Sequence, residues 1–269
     1  MPRVLLHMVL MVALAMVLSG TASAKPDKQE EVATREAEKT GALIYAYDQA
    51  AWRSTDMFMA EMQSKMPPNM RGYIVVPEQG GRLRAIYYAE DGGKMVAIRS
   101  YSVAGKRSIR PLNSEAGSPL SALTLRMIAA RDAALRYASD NMLPICAKAS
   151  PNTVVLPPDE NDRIVVYILT PQEQNVQFPA GGHYRWVFDN QNQLISHRKL
   201  SEGCGLIKVQ QQGFGIIIIE HKMDEHPTEI HAFLSRLIPF PLTIVTPKRD
   251  VWFATNGKLE YTSRLKPEE

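Results

Sequence analysis

The residues able to do chemistry are few, and their spacing is awkward. His221, His226 and His231 follow one another at intervals of five, and His183 and His197 lie further upstream. On a helix five residues turn the chain by about 140°, so neighbours do not share the face that a pair of metal ligands needs. The order His221-x3-Glu225-His226 is one residue too long for the His-x-x-Glu-His arrangement. All five read as surface or interface histidines, and neither a metal nor a cofactor is expected. Asp48 and Asp56 flank Trp52 in a helical stretch. Two buried carboxylates could form an acid/base pair or a polar pocket. They could equally satisfy loop ends or arginines, and that structural role is the favoured one. Ser196-x-x-Lys199 has the Ser-x-x-Lys spelling, but it falls in a strand, whereas the motif works at a helix start. No Gly-x-Ser-x-Gly, Walker loop or Gly-x-Gly-x-x-Gly occurs, and Gly203-Cys204-Gly205 and Gly213-Phe214-Gly215 are isolated pairs. No catalytic residue is assigned. The candidates left form a polar and aromatic patch of Asp48, Trp52, Asp56, His183, Arg185 and His197.

The elements that must position these groups are more legible. Residues 183–200 alternate Tyr184, Trp186 and Phe188 against His183, Arg185 and Val187, then turn at Asp189-Asn190 into a second run. That is a hairpin with an aromatic face that needs an apolar cover. If Phe188 pairs Leu194, Arg185 faces His197 and His183 faces Lys199 on an exposed side. Residues 42–65 carry large apolar groups on both sides and read as a helix covered all round, ended by Pro67-Pro68. Runs at 73–76, 83–89 and 95–103, separated by Gly80-Gly81 and Asp91-Gly92-Gly93, read as an antiparallel meander. Residues 106–118 read as a loop whose Lys106, Arg107 and Arg110 make a solvated bend. Ser118 as N-cap and Pro119 open a second helix with an apolar stripe from Leu120 to Tyr137, closed by Pro144. Strands follow at 153–156 and 163–169, then the hairpin, then a strand at 214–220. A short helix spans 227–237, and a strand at 242–245 precedes a last hairpin turned by Asn256-Gly257, which sets Trp252 opposite Tyr261.

The first 24 residues combine Arg3, an apolar run of about 15 residues and an Ala-x-Ala site, the pattern of a secretory signal peptide cleaved between Ala24 and Lys25. Removing them from the 269 residues leaves 245, with 30 basic against 28 acidic side chains once Arg3 is gone. A balance so close to zero argues against a nucleic-acid partner. No later run is long enough to span a bilayer. In an exported chain the only two cysteines, Cys146 and Cys204, are expected to pair. Their spacing also rules out a Cys-x-x-Cys redox site. Such a bridge would clamp the end of the second helix to the end of the hairpin whose aromatic face that helix covers.

The segments 47–56 and 181–186, with the late Trp252 hairpin, resemble parts of exported Gram-negative bacterial proteins of unknown function. The similarity covers a small part of the chain and implies export but no activity. The helix-then-meander order is similar to that of cystatin-like and PepSY-like exported domains, which concerns architecture alone. The fold expected is α+β, with antiparallel meanders packed against two main helices on one side. After the signal at 1–24 and a polar stretch at 25–39 that is a mobile leader or the frayed start of a helix, two similar helix-plus-meander lobes would occupy 40–115 and 116–269. The function expected is a non-catalytic binding or interaction protein of the cell envelope, periplasmic or secreted, for a protein or small-ligand partner. The alternative is a periplasmic hydrolase or lyase using Asp48, Asp56 and a histidine.

Overall fold

A computed structural model describes residues 26–105, 108–174, 176–209 and 217–266. The expected signal segment with Ala24 and Lys25, the basic pair Lys106 and Arg107, and the run Gly213-Phe214-Gly215 lie outside them. The chain is mixed α+β, with three α-helices and antiparallel-rich sheets among the described residues.

Two meanders form the centre. Strands β1 (Met70–Glu78), β2 (Arg82–Asp91), β3 (Lys94–Ala104) and β4 (Ser108–Pro111) pair in chain order. Strands β5 (Asn152–Leu156), β6 (Ile164–Leu169), β8 (Tyr184–Phe188) and β9 (Leu194–Lys199) form a second sheet. The short β7 (Gln177–Pro179) leaves it to pair with β10 (Leu206–Lys208). Strand β1 lies beside β5, and Tyr73 hydrogen-bonds Thr153 across that seam. Successive side chains point to opposite faces, and both faces are buried. Val75, Tyr87, Tyr167 and Leu169 enter one core, and Ile74, Tyr88, Val166 and Ile168 the other. This explains why these strands read as unbroken apolar runs and not as alternation.

Helix α1 (Lys28–Glu61) covers the first face and α2 (Ala122–Asp140) the second. The two main helices thus take opposite faces, not one side, because both sides of the strands are apolar. Met127, Ala130 and Ala134 of α2 pack on the face of Tyr184, Trp186 and Phe188, the cover expected from the hairpin. The buried Arg131 donates to the Tyr73 carbonyl on the β1 edge and to the Tyr88 hydroxyl, satisfying an edge that lacks a strand partner there. α2 starts later than its proline suggests. Ser118 and Leu120 bond Ala97 and Met95 in extended form, so Ser121 becomes the N-cap.

α1 also differs from expectation. Of the two readings of residues 28–39, mobile leader or helix start, the second is found: they are its first turns, opened by a capping box in which Asp27 accepts from the Glu30 amide and Glu30 from the Asp27 amide. Thr34, Ala37, Gly41 and Ile44 form a narrow buried stripe along it. At Gly41 an added Cβ would lie 2.6 Å from Ala232 Cβ and 2.7 Å from the Glu229 carbonyl, so only glycine lets α1 approach so closely. The helix is not covered all round either: Trp52 is 59% exposed, and Leu43 and Asp56 are exposed too.

The chain ends in a third sheet of β11 (Ile217–Glu220), β12 (Leu242–Val245), β13 (Asp250–Thr255) and β14 (Lys258–Arg264). Here β11 and β12 are parallel, not antiparallel, because α3 (Glu229–Leu237) carries the chain back between them. The Asn256-Gly257 turn pairs Thr255 with Lys258 and sets Trp252 opposite Tyr261, as its type requires.

Cys146 and Cys204 are bonded, with Cα atoms 5.2 Å apart. Gly181 and Gly182 lie against this bridge: a Cβ on Gly182 would meet Cys146 Sγ at 2.5 Å, and one on Gly181 the Gly203 carbonyl oxygen at 2.2 Å. No helix among the described residues is long and apolar enough to cross a membrane.

Candidate ligand cleft

Four segments meet around a cleft of about 540 Å³, within the roughly 300–1,000 Å³ typical of small-ligand sites. α1 contributes Tyr45, Asp48, Gln49 and Trp52, all on one side of the helix. The inner ends of β5 and β6 supply Asn152, Leu169 and Thr170. The loop leading to β7 brings Gln172, Glu173 and Gln174 to the mouth, with Phe178 and Pro179 behind them. α3 closes the far wall with Phe233, Leu234 and Arg236. The Gly41 contact holds the two helical walls in place, and the mouth loop is pinned by Glu173, whose carboxylate accepts from the Lys148 and Ala149 amides at 3.1 and 3.0 Å.

Asp48 is the unusual group. Among the described residues its carboxylate receives only two long hydrogen bonds, 3.4 Å each, from the amides of Gln49 and Asn152. No ion pair reaches it among the described residues, and burial pushes its pKa up to about 6. Of the expected structural partners, no arginine pairs with it among the described residues, and the loop end that opens β5 reaches it through Asn152 alone. Arg236 stands on the opposite wall with its guanidinium 6.0 Å from the Tyr45 ring centre.

His183 reaches the same cleft from behind, and it is not the exposed hairpin residue that the alternation suggested. It is 1% exposed. Its Nδ1 accepts from the Thr170 amide at 3.3 Å, which leaves Nε2 to donate to the Pro179 carbonyl at 3.1 Å. Burial lowers its pKa to about 4. Both ring nitrogens are occupied by backbone, so the neutral ring fastens the loop between β6 and β7 and has no nitrogen free to move a proton.

The structure thus brings together Asp48, Trp52 and His183, and it places the other three candidates elsewhere. Asp56 is exposed a full turn beyond Trp52. Arg185 sits 3.9 Å from Glu229, which also accepts from the Tyr167 hydroxyl. His197 stays on the exposed face of β9 against Tyr137, 4.5 Å between ring centres. A bulge at Val187 and Phe188 shifts the hairpin by one residue, so His197 opposes Trp186 and Arg185 opposes Arg198.

A second cluster of polar groups lies on the other side of α3. Asp224 accepts from Arg198 through both oxygens, at 3.1 and 2.9 Å, and from His221 Nε2 at 3.1 Å. The hydrogen bond from His221 and the charge of Arg198 hold its pKa down to about 2, against the opposing effect of burial. The His221 ring meets that of His231 edge-on at 4.5 Å. His231 accepts from the Thr228 amide at 3.0 Å, filling at the start of α3 the place a capping glutamate usually takes. Burial drives its pKa down to about 3. The expectation of surface histidines thus fails for His183, His221 and His231, since each forms a specific buried bond. No group of three His, Cys, Asp or Glu side chains among the described residues is placed to hold a metal. Ser196 and Lys199 lie on exposed positions of β9.

Sequence reasoning missed Gln49, Asn152, Gln172, Gln174 and Arg236 as members of one site. They come from four separated segments of ordinary polar residues, and no spacing rule joins them. Comparison with protein-family models, with curated proteins and with solved structures returns no match.

Proposed function

We propose that this is an exported binding protein of the cell envelope and that the cleft between α1 and α3 is its ligand site. One observation carries the reading: the half-buried Asp48 lines a cavity, and among the described residues its carboxylate is held by two long amide contacts alone. A buried carboxylate is normally paired or fully hydrogen-bonded. One left short of donors at the wall of a cleft, beside a largely exposed tryptophan, is an acceptor kept for a partner. The Cys146–Cys204 bond is compatible with an oxidising compartment, and the signal-like first 24 residues support export. A hydrolase with Asp48 as general acid is the second reading, favoured by its pKa near 6. It lacks the expected partners, because Asp56 is outside the cleft and His183 is bonded at both nitrogens.

The test is native mass spectrometry of the mature protein after incubation with a small-molecule extract of bacterial envelopes. The expected result is a retained mass on wild type and on His197→Ala, and none on Trp52→Ala. Retention that is indifferent to Trp52, or no retention at all, would overturn the reading. Full-length chain found in the cytoplasmic fraction with residues 1–24 still attached would overturn export.

A further inference from the structure

We infer that the cleft takes a neutral, polyhydroxylated ligand, a saccharide, seated with one ring face on Trp52 and its hydroxyls on the surrounding amide and carboxylate groups. This deepens the binding reading above and rests on it.

The charges in the cleft limit the ligand first. Asp48 and Glu173 disfavour an anion, and Arg236 on the facing wall disfavours a cation. With both signs present at short range, an uncharged molecule is the one that meets no repulsion anywhere along the walls. The polar groups limit it next. Gln49, Asn152, Gln172 and Gln174 each carry a carbonyl acceptor and an amide donor in one plane. A hydroxyl is also donor and acceptor at once, and two on neighbouring carbons match an amide or a carboxylate through paired bonds. Asp48 has acceptor capacity beyond its two 3.4 Å contacts, which suits ligand hydroxyls as donors.

The aromatic groups supply the complementary part. Trp52 is 59% exposed at the lip, on a helix whose Tyr47 and Phe58 rings are buried and whose half-buried Tyr45 lines the same cleft. A pyranose ring is polar around its rim and presents C–H groups on its faces. An indole face offers those C–H groups apolar area and a negative quadrupole. Phe178 and Phe233 line the cleft more deeply and add apolar wall without asking for hydrogen bonds. A purely apolar or flat aromatic ligand would cover Asp48, whose two contacts are long, and the amide groups of Asn152, Gln172 and Gln174 without adding hydrogen bonds to them.

The experiment is titration calorimetry of the mature protein with four probes: cellohexaose and chitohexaose as neutral saccharides, spermidine as a cation, and citrate as an anion. Binding of at least one saccharide is expected, weakened about tenfold or more by Trp52→Ala. Gln172→Ala, at an exposed position of the mouth, is expected to weaken it less, with both variants melting within about 2 °C of wild type. Binding of spermidine or citrate that depends on Trp52 would overturn the saccharide assignment while leaving the cleft a ligand site. Binding of none of the probes would also overturn it, and retention of another small molecule in the mass-spectrometric test would then show that the binding reading itself survives. Saccharide binding unaffected by either variant would place the site elsewhere and overturn both.

Discussion

Two aspartates, one on each side of α3, differ in almost every respect that burial leaves open. Asp224 has Arg198 on both oxygens and His221 at 3.1 Å, and its pKa falls to about 2. Asp48 has two amide nitrogens at 3.4 Å and a cleft in front of it, and its pKa rises to about 6. Desolvation raises both, Asp48 more than Asp224, and the partners differ in kind: amides for one, a guanidinium and an imidazole for the other. The fold has completed the environment of one carboxylate and left the other incomplete. Asp224 joins β9 to the segment between β11 and α3, a structural duty. Asp48 joins α1 to β5 through one long bond from Asn152 among the described residues, and that incomplete environment is what motivates the binding proposal.

The comparison is most sharply tested by removing each carboxylate. Asp224→Ala leaves Arg198 and His221 without their acceptor in a half-buried site. It is expected to lower unfolding free energy by about 1–3 kcal/mol in denaturant titration. A loss below about 0.5 kcal/mol would mean that the network is ornamental.

The next effect is on pH dependence. His183 and His231 have folded pKa values near 4 and 3, below the roughly 6.5 of the unfolded chain. Their neutral forms are favoured by folding, so their contribution is complete above pH 6.5 and lost as pH falls toward 4. Asp48 has the opposite sign: its folded pKa of about 6 lies above the unfolded value of about 3.9, so stability from it is present below pH 4 and lost as pH rises through 6. Between pH 6.5 and 4 the two histidines outweigh the one aspartate. Melting temperature is expected to fall with acidification across that window, and to fall more steeply in Asp48→Asn, which removes the opposing slope. A flat profile in wild type would contradict the buried histidine bonds.

The smallest stability effect belongs to Asp48 itself. Asp48→Asn removes a desolvated charge at neutral pH and keeps the shape, so unfolding free energy is expected to stay level or rise by about 1 kcal/mol. A clear loss of stability would return Asp48 to the structural role first assigned to it.

How much of this was legible in the chain follows from what each element needs. The meander β1–β3, the aromatic hairpin under α2, the Trp252 hairpin and the Cys146–Cys204 bond rest on local turn chemistry or on having no alternative partner, and they are found where the residues put them. The start of α1 was hidden because Thr34, Ala37 and Gly41 are small and bury little area each; their 3–4 spacing was the available signal. The hairpin register failed at the bulge beside Phe188, which no residue type announces. The histidines were misplaced for a related reason: His183 is buried against the Thr170 amide and the Pro179 carbonyl, His221 against the Asp224 carboxylate and the His231 ring, and His231 in the cap of Thr228, and none of these contacts follows from the intervals of five. Trp52 and Asp48 stood out in the sequence, but the amides facing them did not, since a site assembled from four segments has no local pattern.

The most direct measurement is a carboxyl-carbon NMR titration of Asp48 and Asp224 in the mature protein, without and with the small molecule retained in native mass spectrometry. The expected midpoints in the free protein are about 6 for Asp48 and about 2 for Asp224. With ligand, donors arriving at the charged form lower the Asp48 midpoint and leave Asp224 where it was. An Asp48 midpoint near the ordinary value of about 3.9 in the free protein, or one that the ligand does not move, would contradict the account.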